Sequence, residues 1–404
     1  MAWGSSGRRW ARAGVLGSLG AAVAVVLAAA PAQAITGGTP VPDAADAPWM
    51  VTLARPGDEP LAQRTFCGGA LIAPDRVLTA AHCVSEGDPR RVEVHLGAAV
   101  LSRDPGRILP IEGVAVHPEY KQVPSPADPT SFTKSSAVAD VAIIGLAEPV
   151  PDAMPLVVAD EAPSPGATLT AYGHGITAAP STDPAMPPPS SSDELLRADL
   201  GPISAQACAT RLHTPSGSDD SVVCAQATQP DGPAICPGDS GGPLVELVDG
   251  RAVIVGVTSF SGEVTDQMCA AGTAAAFADV AGLRDWITQP HPVFEPSPAE
   301  DVTVTGKLAV GSTITCATPE WEGGEPATLE YSWSRGEIDT TTPKEAWNTP
   351  TGFLFFVPID GQTAPTLTVP ADLSGRDVLC SVEAGNAGGS VSYHSDSVTI
   401  PEHS

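Results

Sequence analysis

The stretch AICPGDSGGP, Ala234 to Pro243, sets one hydroxyl, Ser240, among glycines. Glycine lets backbone N–H groups turn inward and approach a reacting group closely. Two such donors aimed at one point stabilise a negative oxygen, roughly 3–4 kcal/mol for one donor. That is acyl-transfer chemistry, but a serine alone is a weak nucleophile and needs a base. The run VLTAAHCV, Val77 to Val84, offers one in His82, after an apolar stretch and next to Cys83. The run ADVAIIGL, Ala139 to Leu146, places Asp140 at the head of an apolar strand. A partly buried carboxylate there needs a partner. Singly, each has a plain reading as well: an incidental serine in a tight loop, a structural histidine, a strand-edge aspartate in a turn.

These residues need a frame to hold them. Strand-length apolar runs such as WMVTLA, GGALIAP, VEVHLG, ATLTAYG and AVIVGVTSF recur between Gly, Pro and Asp, a pattern of sandwiches and barrels. The 42 prolines and 40 glycines fit a turn-rich all-β chain. VAGLRDWITQ has helical spacing at Val280, Leu283 and Ile287 and stops before Pro290. Two polar, Pro/Ser-rich stretches, Val123 to Ala137 and Ala178 to Asp193, read as long surface loops. Residues 290–300 read as a Pro-rich linker. After it, alternation at Leu329, Tyr331 and Trp333, and at Val378, Cys380 and Val382, marks a second β segment over 301–404.

The chain of 404 residues carries a formal charge of −27. An acidic balance of that size argues against binding nucleic acid or an anionic membrane. Residues 1–34 read as a secretory signal, with Arg8, Arg9 and Arg12 first, then an apolar stretch, then Ala32-Gln33-Ala34. Eight cysteines, an even number, suit an oxidising compartment. They allow 105 pairings, and no Cys-x-x-Cys metal spacing occurs among them.

Taken together, FCGGALIAPDRVLTAAHC, ADVAIIGL and CPGDSGGPL, in that chain order, resemble the chymotrypsin/trypsin-like serine proteases over residues 35–289. The resemblance implies two six-stranded antiparallel β-barrels with a C-terminal helix and the site between the barrels. It assigns His82 as general base, Asp140 as the group orienting it, and Ser240 as nucleophile. The amides of Gly238 and Ser240 would form the oxyanion hole. Ile35, freed by cleavage, would pair its ammonium with Asp239 and shape that hole. Cleavage after Ala34 would make export the activating event, whereas cleavage after Ala30 would leave a four-residue propeptide. The family pairs Cys67 with Cys83, Cys208 with Cys224, and Cys236 with Cys269. It puts Ala234 at the pocket floor, where trypsin-like members carry Asp, and Ser259, Phe260, Ser261 and Ala275 along the pocket wall. That implies small or medium apolar residues before the scissile bond, not Lys or Arg. Protein or peptide substrates are expected, with no metal or other cofactor.

Cys316, Trp333 and Cys380 resemble the core of an immunoglobulin-like β-sandwich, as in bacterial surface-protein modules. Two roles stay open for it: a spacer, or a binder of cell wall, polysaccharide or protein. The whole therefore reads as a secreted, extracellular serine endopeptidase. The reading from another class is a catalytically idle binding or adhesion protein on the same fold.

Overall fold

The structure is a computed structural model that describes residues 35–85, 89–123, 136–176, 191–212, 221–261, 269–341, 344 and 349–402. The expected signal and most of the two expected surface loops lie outside the described residues. Strand follows strand from the first described residues to the last, with only short helices between.

The first barrel uses β1 (Met50–Ala54), β2 (Thr65–Ala73), β3 (Arg76–Thr79), β4 (Glu93–Leu96), β5 (Arg107–Leu109), β6 (Ile111–Val116) and β7 (Ala142–Leu146). Their order in the sheet is β5-β4-β1-β2-β3-β7-β6. Pro110, which has no N–H to donate, separates β5 from β6. One bent run of chain thus pairs with β4 on one side of the proline and with β7 on the other. The sheet ends are therefore joined by chain rather than by a ladder, and the ring has six sides but seven strands.

The second barrel closes fully. It uses β8 (Leu169–Gly173), β9 (Leu196–Ile203), β10 (Val222–Gln226), β11 (Pro243–Val248), β12 (Arg251–Phe260) and β13 (Ala275–Asp279). β9 pairs with both β8 and β10, which completes a six-stranded ring. In β9, Leu196, Ala198 and Leu200 point inward while Arg197 and Asp199 point to solvent. That alternation lets one strand serve core and surface at once. Val280 and Ile287 are buried as their spacing predicts, although the α-helix itself covers only Arg284–Ile287. Beside it, the Trp286 ring meets the His117 ring edge-on at 4.9 Å, tying the end of the second barrel to the first.

The C-terminal segment builds two further sheets. One holds Thr303–Gly306, Thr313–Ala317 and Thr366–Thr368; the other is centred on Thr328–Asp339 and Asp377–Asn386. The Cys316–Cys380 disulfide joins them. Trp333, directly opposite Cys380 in the ladder, is fully buried and donates its indole N–H to the Ala364 carbonyl at 3.0 Å.

The run read as a linker is packed along much of its length. Pro296–Pro298 forms a short strand against Trp321–Gly323. The Phe294 ring fills a notch over Gly113 and Gly145, which face each other across β6 and β7. A Cβ on Gly113 would lie 2.7 Å from that ring. The Glu295 amide donates to the Val114 carbonyl at 2.6 Å, and Arg76 donates to the carbonyls of Gln289 and Pro290. Arg90 of the first barrel meets Asp301 at 3.0 Å. The C-terminal segment is thus seated on the first barrel through aromatic, backbone and ionic contacts.

Glu295 is 3% exposed, and burial pushes its carboxyl up to about 8. A carboxyl whose pKa is raised by folding is held protonated, so stability falls as pH rises from about 4.5 to about 8. Glu295→Gln removes that ionisation. Calorimetry is expected to show the variant's melting midpoint gaining on the wild type by several degrees more at pH 8.5 than at pH 5. An equal difference at both pH values would mean that the carboxyl is solvated.

Candidate active site

His82, the expected base, sits on a single 3-10 turn, Ala81–Cys83, directly after β3. The Cys67–Cys83 disulfide pins that turn to β2. His82 is partly exposed, while Asp140 is 2% exposed. The imidazole Nδ1 lies 2.8 Å from Asp140 Oδ2, and the His82 amide donates to Oδ1 at 2.9 Å. A carboxylate facing Nδ1 places the ring proton there and makes Nε2 the acceptor nitrogen. The Ser259 hydroxyl also donates to Asp140 Oδ2. Burial alone would push the Asp140 carboxyl upward. The interaction with His82 and these hydrogen bonds outweigh it and hold the carboxyl below its usual range. The aspartate therefore stays ionised and fixes both the tautomer and the orientation of the ring.

Ser240 lines the same cleft as His82. It lies in a loop whose bends need glycine: Gly238 has φ 92° and Gly241 φ 77°. The two barrels meet here backbone to backbone. The Gly68 amide of β2 donates to the Ser240 carbonyl at 2.7 Å across the junction, and within the second barrel the Gly241 amide donates to the Thr258 carbonyl of β12 at 2.8 Å. Any side chain on Gly241 would strike Thr79 and the Gly68 carbonyl.

Asp239 is fully buried beneath this loop. Gly175 donates its amide to Oδ1 at 2.8 Å and Cys236 donates its amide to Oδ2 at 2.9 Å. The Ile35 backbone N–H also donates to this carboxylate. Burial pushes the carboxyl up to about 7 even with these three donors. Ile35 itself is fully buried and has φ 42°, an unusual backbone for a β-branched residue. The neighbouring Thr36 bridges Ala234, so the start of the described chain is laced to the loop that carries the serine.

Sequence reasoning brought Ile35, His82, Asp140, Gly238, Asp239 and Ser240 forward, and the fold gathers them at the junction of the barrels. Of the residues proposed for the substrate pocket, Ala234 and Ala275 are buried, and Phe260 and Ser261 are partly exposed. Ser259 is buried against Asp140, a role the sequence reading did not assign. Gly173 and Gly175 were also missed. A Cβ on either would collide with the Asp239 carboxylate. The paired glycines of AYGHG were the available signal. Four disulfides form: Cys67–Cys83, Cys208–Cys224, Cys236–Cys269 and Cys316–Cys380. Cys67, His82 and Cys83 offer donor atoms within 4.8 Å of one another, the spacing of a metal site. Both sulfurs are spent in a disulfide, however, and present no thiolate.

The family model for trypsin matches residues 35–287. A trypsin of Saccharopolyspora erythraea is 32% identical over 219 residues, covering 53% of this chain and 82% of that protein. A trypsin of Sarcophaga bullata is 30% identical over 227 residues, covering 55% of this chain and 77% of that protein. With a carboxylate-oriented histidine and a glycine-bracketed serine lining one cleft, the chain belongs to the trypsin family and is a serine endopeptidase.

Proposed function

We propose that this protein is a secreted endopeptidase that cleaves polypeptides through an acyl-enzyme on Ser240. The observation that carries this is the ionised Asp140 holding His82 in one tautomer at the cleft that Ser240 lines. His82 takes the hydroxyl proton as Ser240 attacks the scissile carbonyl, then returns it to the leaving amine. The amides of Gly238 and Ser240 receive the oxyanion. Release of the acyl group by water repeats the proton transfers in reverse. Four disulfides and the apolar leader support export to an oxidising compartment. The disulfide-bridged sheets around Trp333 support an immunoglobulin-like sandwich over residues 301–402.

Ile35 acts as the switch. In the uncut chain its nitrogen is a neutral peptide N–H, and the carboxyl it meets sits near 7. Cleavage after Ala34 would convert that donor into an ammonium with an ordinary pKa near 8. A full positive charge at the same point holds Asp239 ionised and raises the amine's own pKa. Cleavage also removes the peptide bond that defines the φ of Ile35, and so releases its strain. The family match beginning at residue 35 supports this boundary. Ala234 at the expected pocket floor, with Ser261 and Ala275 where open pockets of the family carry glycine, supports cleavage after small or medium apolar residues.

Three outcomes are expected. A serine-directed phosphonate should label Ser240, and Asp140→Asn should lower kcat by about four orders of magnitude with labelling slowed in parallel. Second, Edman sequencing of the active secreted protein should begin at Ile35. Because pairing raises the amine's pKa above its ordinary value near 8, the alkaline loss of activity is expected as pH rises through that higher value, while protonation of the His82 base limits activity in acid. A first residue of Pro31 with full activity would remove the switch. Third, a panel of peptides should be turned over fastest after Ala, Val or Leu. Fastest cleavage after Arg would overturn the assigned pocket.

A further inference from the structure

The C-terminal segment does more than hang from the enzyme: it walls the catalytic cleft. A cleft of about 530 Å³ holds His82 and Ser240, with Phe66 and Arg91 on the barrel side and Ser392 and His394 facing them from the C-terminal segment. None of the residues assigned to the pocket before the scissile bond, Ala234, Ser259, Phe260, Ser261 or Ala275, lines it. Instead it runs from the serine past the base turn and its Cys67–Cys83 bridge. A substrate whose acyl half lies along β12 would send its departing half this way.

The far wall is fixed in place. Tyr393 donates its hydroxyl to the Pro296 carbonyl at 2.7 Å, and Asp301 meets Arg90 across the cleft mouth at 3.0 Å. In the strand Gly389–His394, Val391 and Tyr393 point into the sandwich, so Ser392 and His394 are presented outward. The near wall is cationic. Arg55 lies 5.3 Å from the centre of the Phe66 ring, and the exposed Arg91 makes no ion pair among the described residues. Arg90 is paired with Asp301, which also lines the cleft, so on a chain of formal charge −27 the local excess of positive charge rests on Arg55 and Arg91. Positive charge in a cleft recruits groups of opposite sign.

We propose that this cleft, C-terminal wall included, binds the substrate segment that departs after the scissile bond and selects acidic side chains in it. The proposal rests on Ser240 being the nucleophile. It gives the C-terminal segment a direct part in specificity.

The test uses the full-length protein and two peptides identical up to the scissile bond. After it, one carries Glu in the first three positions and the other Gln. The Glu-to-Gln ratio of kcat/KM is measured for the wild type, Arg91→Ala and Ser392→Asp, with active enzyme counted by phosphonate titration. The wild-type ratio is expected near tenfold at low salt and to shrink as salt screens the pairing. Arg91→Ala should bring it close to one, and Ser392→Asp, which sets a like charge on the opposite wall, should lower it severalfold. A wild-type ratio of one overturns the proposal. A ratio lost in Arg91→Ala but kept in Ser392→Asp overturns the part given to the C-terminal segment. No cleavage of either peptide and no phosphonate uptake would instead overturn the nucleophile assignment beneath it.

Discussion

A fully buried carboxyl group, that of Asp239, governs the centre of this molecule. Its cost is contained only because backbone amides from three distant parts of the chain converge on it. Ile35 comes from the start of the described chain, Gly175 from the segment after β8, and Cys236 from the loop of the serine itself. Each donor pins its own segment at a set distance from the same two oxygens. The conformation of the Gly238–Ser240 turn therefore depends on interactions made behind it, away from substrate. A peptide N–H at Ile35 supplies only a dipole, which is why burial still leaves the carboxyl near 7.

The front of the site depends on the opposite kind of interaction, contact between backbones without side chains. Gly68 lies against Gly242, and Gly241 sits on Thr79 and the Gly68 carbonyl. That lets a strand of the first barrel bond the serine's own carbonyl. His82 and Asp140 belong to one barrel and Ser240 and Ser259 to the other. The Ser259 hydroxyl on Asp140 is thus a hydrogen bond across the junction. The His82–Asp140 pair is thus held by a contact that also joins the barrels.

The C-terminal segment uses glycine in a similar way. Gly113 and Gly145 leave a notch in the first barrel, and the Phe294 ring occupies it. An aromatic ring against a glycine pair buries apolar area on a strand that would otherwise lack packing there. Asn386 of the C-terminal sheets donates to the Phe294 carbonyl at 2.8 Å, so the plug is tied to both sides. Rigid docking next to the base turn is what brings the far strand Gly389–His394 within reach of the cleft.

Much of this was legible beforehand, and for identifiable reasons. The serine loop, the base turn and the Asp140 strand are short contiguous motifs whose residue types state their chemistry, and period-two alternation marks strands such as β9. By contrast, nothing in QPHPVFEPSPAE announces that its lone Phe fills a hole between two glycines more than a hundred residues upstream. Proline content favoured a linker because it reports backbone stiffness, not what a side chain touches. Nor does the spacing of Ser259 from Asp140 hint at a hydrogen bond across the barrels. By itself the sequence determined the β character and pointed to candidate reacting groups, since both are local properties of residue type and order. Only the tertiary structure decided which amides neutralise Asp239, which hydroxyl supports Asp140, and which surface faces the cleft. Those depend on distances between segments far apart in the chain, set by packing that no single stretch encodes.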